Sequence, residues 1–159
     1  MFLQNVIDIT IKDVLDHCFL FKNYVNFTHY KKKVDLNRDW NKFSILVVDD
    51  DITSVILFEE FLSSTKALIF TASCSEEALN TLKKSQIDLI LMDLQLQGMS
   101  GFILLSIIRE LYPNIPVIAE TAYASADDRR KCIASGFNSF LSKPISFELL
   151  VHEMDKYLQ

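Results

Sequence analysis

The stretch Ser44-Ile45-Leu46-Val47-Val48-Asp49-Asp50-Asp51 decides how this chain is read. Its continuous apolar run suits a strand buried on both faces, as in a parallel sheet. The three carboxylates behind the run stand where a helix begins, and there acidic side chains cap and complement the dipole. The same alternation of short apolar runs with longer amphipathic stretches continues outward. Further runs are Ala67-Leu68-Ile69-Phe70, Leu89-Ile90-Leu91-Met92, Val117-Ile118-Ala119 and a short Phe140-Leu141. Helix-like segments lie between them. In residues 146–158, for example, Phe147, Leu150, Val151, Met154 and Leu158 form one apolar stripe. Ser73-x-x-Glu76 reads as a capping box for the second helix, and Pro116 precedes the fourth strand, where its missing N–H does little harm. Five strands alternating with five helices predict a doubly wound α/β domain with a parallel sheet over 44–159.

Composition narrows the function classes. Half of the 159 residues are apolar, so a packed core is expected. No run approaches the roughly 18 apolar residues of a membrane span, and Asp8, Lys12, Asp13 and Asp16 interrupt the N-terminus too often for a secretory leader. Cys18, Cys74 and Cys132 are odd in number and far apart, which suits reduced thiols in a cytoplasmic protein. The three glycines, at 98, 101 and 136, build neither a Gly-x-Gly-x-x-Gly turn nor a Walker A loop. Residues 44–159 carry nine Lys/Arg against sixteen Asp/Glu, so direct nucleic-acid binding through them is not expected and a cation is the natural ligand.

Four polar positions each follow an apolar strand: Asp49-Asp50, Asp93, Thr121 and Lys143. Taken singly, each has a plain explanation as a cap, a turn residue, a strand residue or a solvated charge. In an open parallel sheet, however, ligands bind outside the carboxyl ends of the strands, and all four converge on that rim. Three carboxylates packed there would repel and raise one another's pKa. A hard divalent cation such as Mg²⁺ relieves that conflict. With a hydroxyl and an ammonium added, the site holds what a phosphoryl group needs, and one carboxylate can serve as nucleophile.

Residues 44–159 resemble the receiver domain of two-component response regulators. The likeness rests on residues 45–51, on Asp88-Leu89-Ile90-Leu91-Met92-Asp93, on Gly98-Met99-Ser100-Gly101 and on Pro116-Val117-Ile118-Ala119-Glu120-Thr121-Ala122-Tyr123. Ala134-Ser135-Gly136 and Ser142-Lys143-Pro144 complete it. The resemblance implies a (βα)5 flavodoxin-like fold with strand order 2-1-3-4-5. It implies that Asp49 and Asp50 are the acidic metal pair, Asp93 the phosphoacceptor, and Gln95 a backbone-carbonyl ligand of Mg²⁺. Thr121 becomes the switch hydroxyl, Phe140 the switch aromatic, and Lys143 the phosphate-pairing lysine. Such a domain is not a kinase or a classical enzyme. It takes a phosphoryl group from a histidine kinase or phosphotransfer protein and signals through the 126–150 face, with a homodimer as one outcome. Three positions depart from the common pattern: Gln97 where proline is frequent, Glu120 where an apolar residue is usual, and Phe140 for tyrosine. Strand alternation turns Glu120 away from Thr121's side.

Other candidates weigh less. His17, His29 and His152 are isolated, Cys132 reads as a small core residue, and Asp127-Asp128-Arg129-Arg130-Lys131 reads as a solvated helix face. Residues 1–43 are expected to be a separate extension and linker, with the polar stretch 35–43 as the boundary. Leu3, Ile7, Ile11, Val14, Cys18, Phe21 and Val25 allow an amphipathic helix, while Ile7, Ile9 and Ile11 also allow a strand. Residues 24–31 look faintly like the last strand of a kinase ATP-binding domain, which keeps open the reading of a receiver fragment of a hybrid histidine kinase. A phosphorylation-independent interaction module is a further alternative. A haloacid-dehalogenase-type phosphatase is disfavoured, because Asp93-Leu94-Gln95 lacks its second aspartate. The chain ends just after the fifth helix, so no DNA-binding output domain is expected to follow.

Overall fold

The computed structural model describes residues 38–122 and 125–159. The readings made for residues 1–37, including the Leu3–Val25 stripe and the 24–31 likeness, lie outside the described residues, as does Tyr123. Within them the chain alternates strand and helix: β1 Ser44–Val48, α1 Ile52–Leu62, β2 Leu68–Ala72, α2 Ser75–Lys84, β3 Leu89–Asp93, α3 Gly101–Leu111, β4 Val117–Thr121, α4 Ala126–Ala134, β5 Ser139–Ser142 and α5 Phe147–Met154. All strand pairs are parallel and the order is β2-β1-β3-β4-β5. The (βα)5 doubly wound, flavodoxin-like architecture expected from the sequence is the one observed.

Central strands β1, β3 and β4 are buried on both faces, which is why they read as unbroken apolar runs. One sheet face carries Leu46, Val48, Ile90, Met92, Val117 and Ala119 and packs with buried residues of α2, α3 and α4. By alternation Ile45, Val47, Leu89, Leu91 and Ile118 point the other way. The buried residues of α1 and α5 are Val55, Phe58, Phe61 and Leu62 on α1, and Phe147, Leu150, Val151 and Met154 on α5. The rings of Phe61 and Phe147 meet at 4.9 Å between centroids, which joins the two helices. The α5 stripe is buried as its spacing predicts, Leu158 included. Strand β2 differs from expectation. It is one of the two edge strands, and Leu68 is 57% exposed.

Helix boundaries follow local chemistry. Asp51 caps α1 by accepting from the Thr53 N–H at 3.0 Å, and Ser100 caps α3 through Phe102 N–H. The capping box expected at Ser73 and Glu76 is displaced by one residue: α2 starts at Ser75, and Glu77 reaches back to the Ser73 N–H at 2.7 Å. Arg109 near the end of α3 donates to the carbonyls of Ile115 and Gly136 and to Asn138 Oδ1, tying α3 to the turn after α4. Gly136 in that turn has φ +102°, a backbone region that disfavours side chains.

Residues 38–43, read from their polarity as linker, are packed onto this domain instead. Trp40 is 3% exposed, its backbone N–H donates to Thr65 O at 2.7 Å, and Arg38 pairs with Asp155. A single aromatic in a polar stretch leaves no periodic signal, yet it buries more area than several aliphatic residues. Trp40→Ala in the full chain should therefore cost about 3–5 kcal/mol, read from chemical denaturation.

Candidate functional site

Parallel strands deliver their carboxyl ends to one edge, and there the expected residues meet. Asp93 is the last residue of β3, Thr121 ends β4, Asp49 follows β1, and Lys143 follows β5. Met92 is paired with Val48 and Asp93 with Glu120, so continuing the β1–β3 register places Asp49 level with Asp93. Asp49 is 1% exposed and Asp93 8%, whereas Asp50 is half-buried and Gln95 exposed.

Lys143 unites the cluster. Its Nζ donates to Asp49 Oδ2 at 2.8 Å and to Asp93 Oδ2. Its backbone N–H donates to Thr121 O at 2.8 Å, extending the β4–β5 ladder by one residue, and the Lys143–Pro144 peptide is cis. Burial alone would lower the Lys143 pKa, but its bonds to Asp49 and Asp93 and their charges hold it well above the ordinary lysine value. The remaining oxygens are anchored by backbone. Asp49 Oδ1 accepts from Asp51 N–H and Asp93 Oδ1 from Gln95 N–H, both at 2.8 Å. Asp51 belongs to the helix cap rather than to the cluster, and its bonds to Thr53 and Ser54 outweigh burial to keep its pKa low. Beside Asp49 and Asp50 lies a shallow hollow of about 140 Å³, bounded also by Thr71, Ser73 and Glu77.

Among the described residues no group of three or more acidic, His or Cys side chains is arranged to hold a metal as it stands. Lys143 fills that role electrostatically by neutralising Asp49 and Asp93. The donor set nevertheless suits a hard cation. It offers carboxylate oxygens, with open space next to Asp49 and Asp50.

Thr121 is 2% exposed and, by alternation, lies on the face of Ala119 and the α2–α4 layer. Half-buried Phe140 pairs in register with Ala119, so it stands on the same face, one strand over. His152 is exposed, Cys132 is fully buried with its thiol pKa raised by burial, and residues 127–131 are mainly exposed. These follow the plain readings given to them.

Two features went unread as parts of the site. Gly101 opens α3 against the end of β3: a Cβ there would sit 2.5 Å from the Asp93 carbonyl oxygen. Such an approach leaves no trace in sequence beyond the glycine itself. Glu120 is turned away from Thr121, as alternation requires, but the side it faces is that of Asp93 and Asp49. It is 1% exposed, and neither carboxyl oxygen has a hydrogen-bond partner among the described residues. Burial, reinforced by Asp49 and Asp93 and only partly opposed by Lys143, pushes its pKa far above the carboxylate range.

A family model for the response regulator receiver domain matches residues 45–155. The chain belongs to this family. Among curated relatives, this receiver is 36% identical over 128 residues to the sensor histidine kinase RcsC of Salmonella typhimurium, covering 80% of this chain but 13% of that protein. It is 36% identical over 118 residues to a 14.6 kDa protein from the sodA1 3′ region of Leptolyngbya boryana, covering 73% of this chain and 90% of that protein. Among solved structures, the receiver domain of Francisella response regulator 1452 aligns with a TM-score of 0.67 and 28% identity, over 72% of this chain and 95% of that one. Vibrio cholerae chemotaxis protein CheY4 aligns at 0.68 and 26%, over 73% and 98%. This receiver thus spans a small fraction of the kinase it resembles and nearly the whole of the 14.6 kDa protein and of the solved chains.

Replacing Lys143 by Met leaves Asp49 and Asp93 facing each other without a counter-charge. Stability at pH 7 should fall by about 1–3 kcal/mol, less than for a fully buried pair because the lysine is partly exposed. A raised lysine pKa contributes stability that is complete below the unfolded value and lost as pH climbs through the folded one. The gap between parent and variant should therefore begin to close only above about pH 10.5, as followed by denaturation across alkaline pH.

Proposed function

We propose that this receiver is a phosphorylation switch in which Asp93 takes a phosphoryl group from a partner's phosphohistidine. The observation that supports the reading most is the single ammonium of Lys143 bridging two buried carboxylates on the rim, Asp49 and Asp93. Asp49, Asp50, Asp93 and the Gln95 carbonyl would hold Mg²⁺, which when bound offsets the negative charge collecting on the phosphoryl oxygens. A carboxylate oxygen of Asp93 attacks phosphorus, the P–N bond to the partner imidazole breaks, and the imidazole nitrogen keeps the electron pair and is protonated. Lys143 exchanges a carboxylate partner for a phosphoryl oxygen, and the Thr121 hydroxyl donates to another. As Thr121 moves toward the phosphoryl group, it vacates room on its face for the Phe140 ring, which gains by burial and has no hydroxyl to satisfy. The new arrangement is carried to the 126–150 face, where a downstream partner or second copy docks. The chain is a phosphoacceptor that loses its phosphoryl group slowly by hydrolysis and has no kinase activity of its own. It works in the cytoplasm, where its donor kinase meets ATP. Residues 44–159 constitute the receiver together with the packed segment 38–43, and residues 1–37 a separate extension.

A second reading, a receiver segment of a hybrid kinase, is favoured by the likeness to sensor histidine kinases of which the chain spans only a small part. The two readings share the same chemistry at Asp93.

Incubation with acetyl phosphate and Mg²⁺ should give a label that is stable in acid and labile in base. Chelation of Mg²⁺ should prevent labelling, and Asp93→Asn should abolish it. Unchanged labelling of that variant would remove Asp93 from the role. Beryllofluoride should shift amide resonances near Thr121, Phe140 and α4, whereas shifts confined to residues 93–99 would mean that binding is not transmitted.

A further inference from the structure

Glu120 is the one described residue whose buried side-chain oxygens lack a hydrogen-bond partner. A buried carboxyl without a partner costs several kcal/mol, and such a group in a native core calls for an explanation. Its surroundings supply one. Lys143 sits beyond β5, yet its ammonium ends on Asp49 and Asp93, beyond β1 and at the end of β3. Strand β4 lies between β5 and β3, so the lysine stem must cross the end of β4. Leu141 is the register partner of Glu120, and the ladder continues through the Lys143 N–H to Thr121 O. Lys143, two residues after Leu141, therefore shares its face. The last β4 side chain on that face, beneath the end of the strand that the stem crosses, is Glu120.

We propose that Glu120 is a positioning residue for Lys143, its buried, unpartnered carboxyl oxygen receiving the lysine ammonium when a cation takes over Asp49. The proposal rests on the phosphoacceptor reading of the rim. In the structure Lys143 divides its bonds between Asp49 and Asp93, and a cation on Asp49 removes one of them. An ammonium that loses a charge-assisted bond inside a partly buried site needs another acceptor. Glu120 supplies it on the path the stem already follows. The carboxyl group need not be ionised for this, since the carbonyl oxygen of a neutral acid accepts an N–H just as an amide oxygen does. Burial raises the pKa of this carboxyl, which disfavours a fourth negative charge on the rim. An apolar residue, usual at this position in receivers, would leave the displaced ammonium with Asp93 alone.

The test is calorimetric titration of the full chain with Mg²⁺ alone, comparing parent, Glu120→Val and Glu120→Gln, with acetyl phosphate labelling of the parent alongside. Thermal melting reports folding of each variant, and valine suits a buried strand position. Glu120→Val should bind Mg²⁺ about tenfold more weakly, the size of one lost hydrogen bond to a charged group. Glu120→Gln, which keeps the acceptor, should recover to within about threefold of the parent. In a Lys143→Met background the Val substitution should change Mg²⁺ affinity by less than about twofold, because the group it serves is gone. Equal affinity of parent and Glu120→Val overturns the proposal, as does a Gln variant as weak as Val. A full loss that persists without Lys143 overturns it too, by showing that Glu120 acts on the carboxylates directly. If the parent neither binds Mg²⁺ nor is labelled, the phosphoacceptor reading itself fails and this inference falls with it. That result is distinct from a parent that binds and is labelled while its variants match it.

Discussion

Lys143 holds the rim of this protein together. Two buried carboxylates, Asp49 and Asp93, stand level with each other at the ends of adjacent strands, and without a counter-charge they would force those ends apart. The ammonium reaches them from β5, across the intervening β4, so one side chain links the ends of β5, β3 and β1. Everything else near the rim is arranged around that contact. Backbone N–H groups of Asp51 and Gln95 hold the second oxygen of each carboxylate, and Gly101 lets α3 begin close against the Asp93 carbonyl. The cluster is ordered before any ligand arrives, which removes much of the reorganisation that binding a cation or a phosphoryl group would otherwise require.

Such a site is costly to build, and the apolar layers beneath it carry the cost. Charges and the further carboxyl of Glu120 are drawn out of water at the rim, while below them Leu46, Val48, Ile90 and Met92 on one face and Phe58, Leu62, Leu150 and Met154 in the opposite layer are almost wholly buried. Glu120 marks the point where the two demands collide. It occupies a core position by register and a site position by neighbourhood. The local rule that core strands are apolar is broken there, and rule-breaking of that kind concentrates at functional places.

The relatives divide in an instructive way. Some are kinases of which this chain spans about an eighth, and others are short chains that it covers almost entirely. One (βα)5 unit therefore matches both a small part of long chains and nearly the whole of short ones.

Fold class and the main site residues were legible in the chain itself. Short apolar runs at regular spacing specified parallel strands, because only strands covered on both faces can be continuously apolar. Asp49, Asp93, Thr121 and Lys143 each follow such a run, and parallel topology alone then brings them to one edge. What escaped the reading depended on proximity between distant segments. Trp40 belongs to the core although its neighbours are polar, since burial is decided by what covers a residue and not by its local pattern. Leu68 is exposed although its run looks like the others, because β2 is an edge strand. Glu120 could be assigned a side by alternation, but only the register with Asp93 and the path of Lys143 revealed which groups share that side. Sequence periodicity specifies how a segment meets its own immediate surroundings. Which side chains finally touch is decided by strand order and register, and those exist only once the sheet has closed into three dimensions.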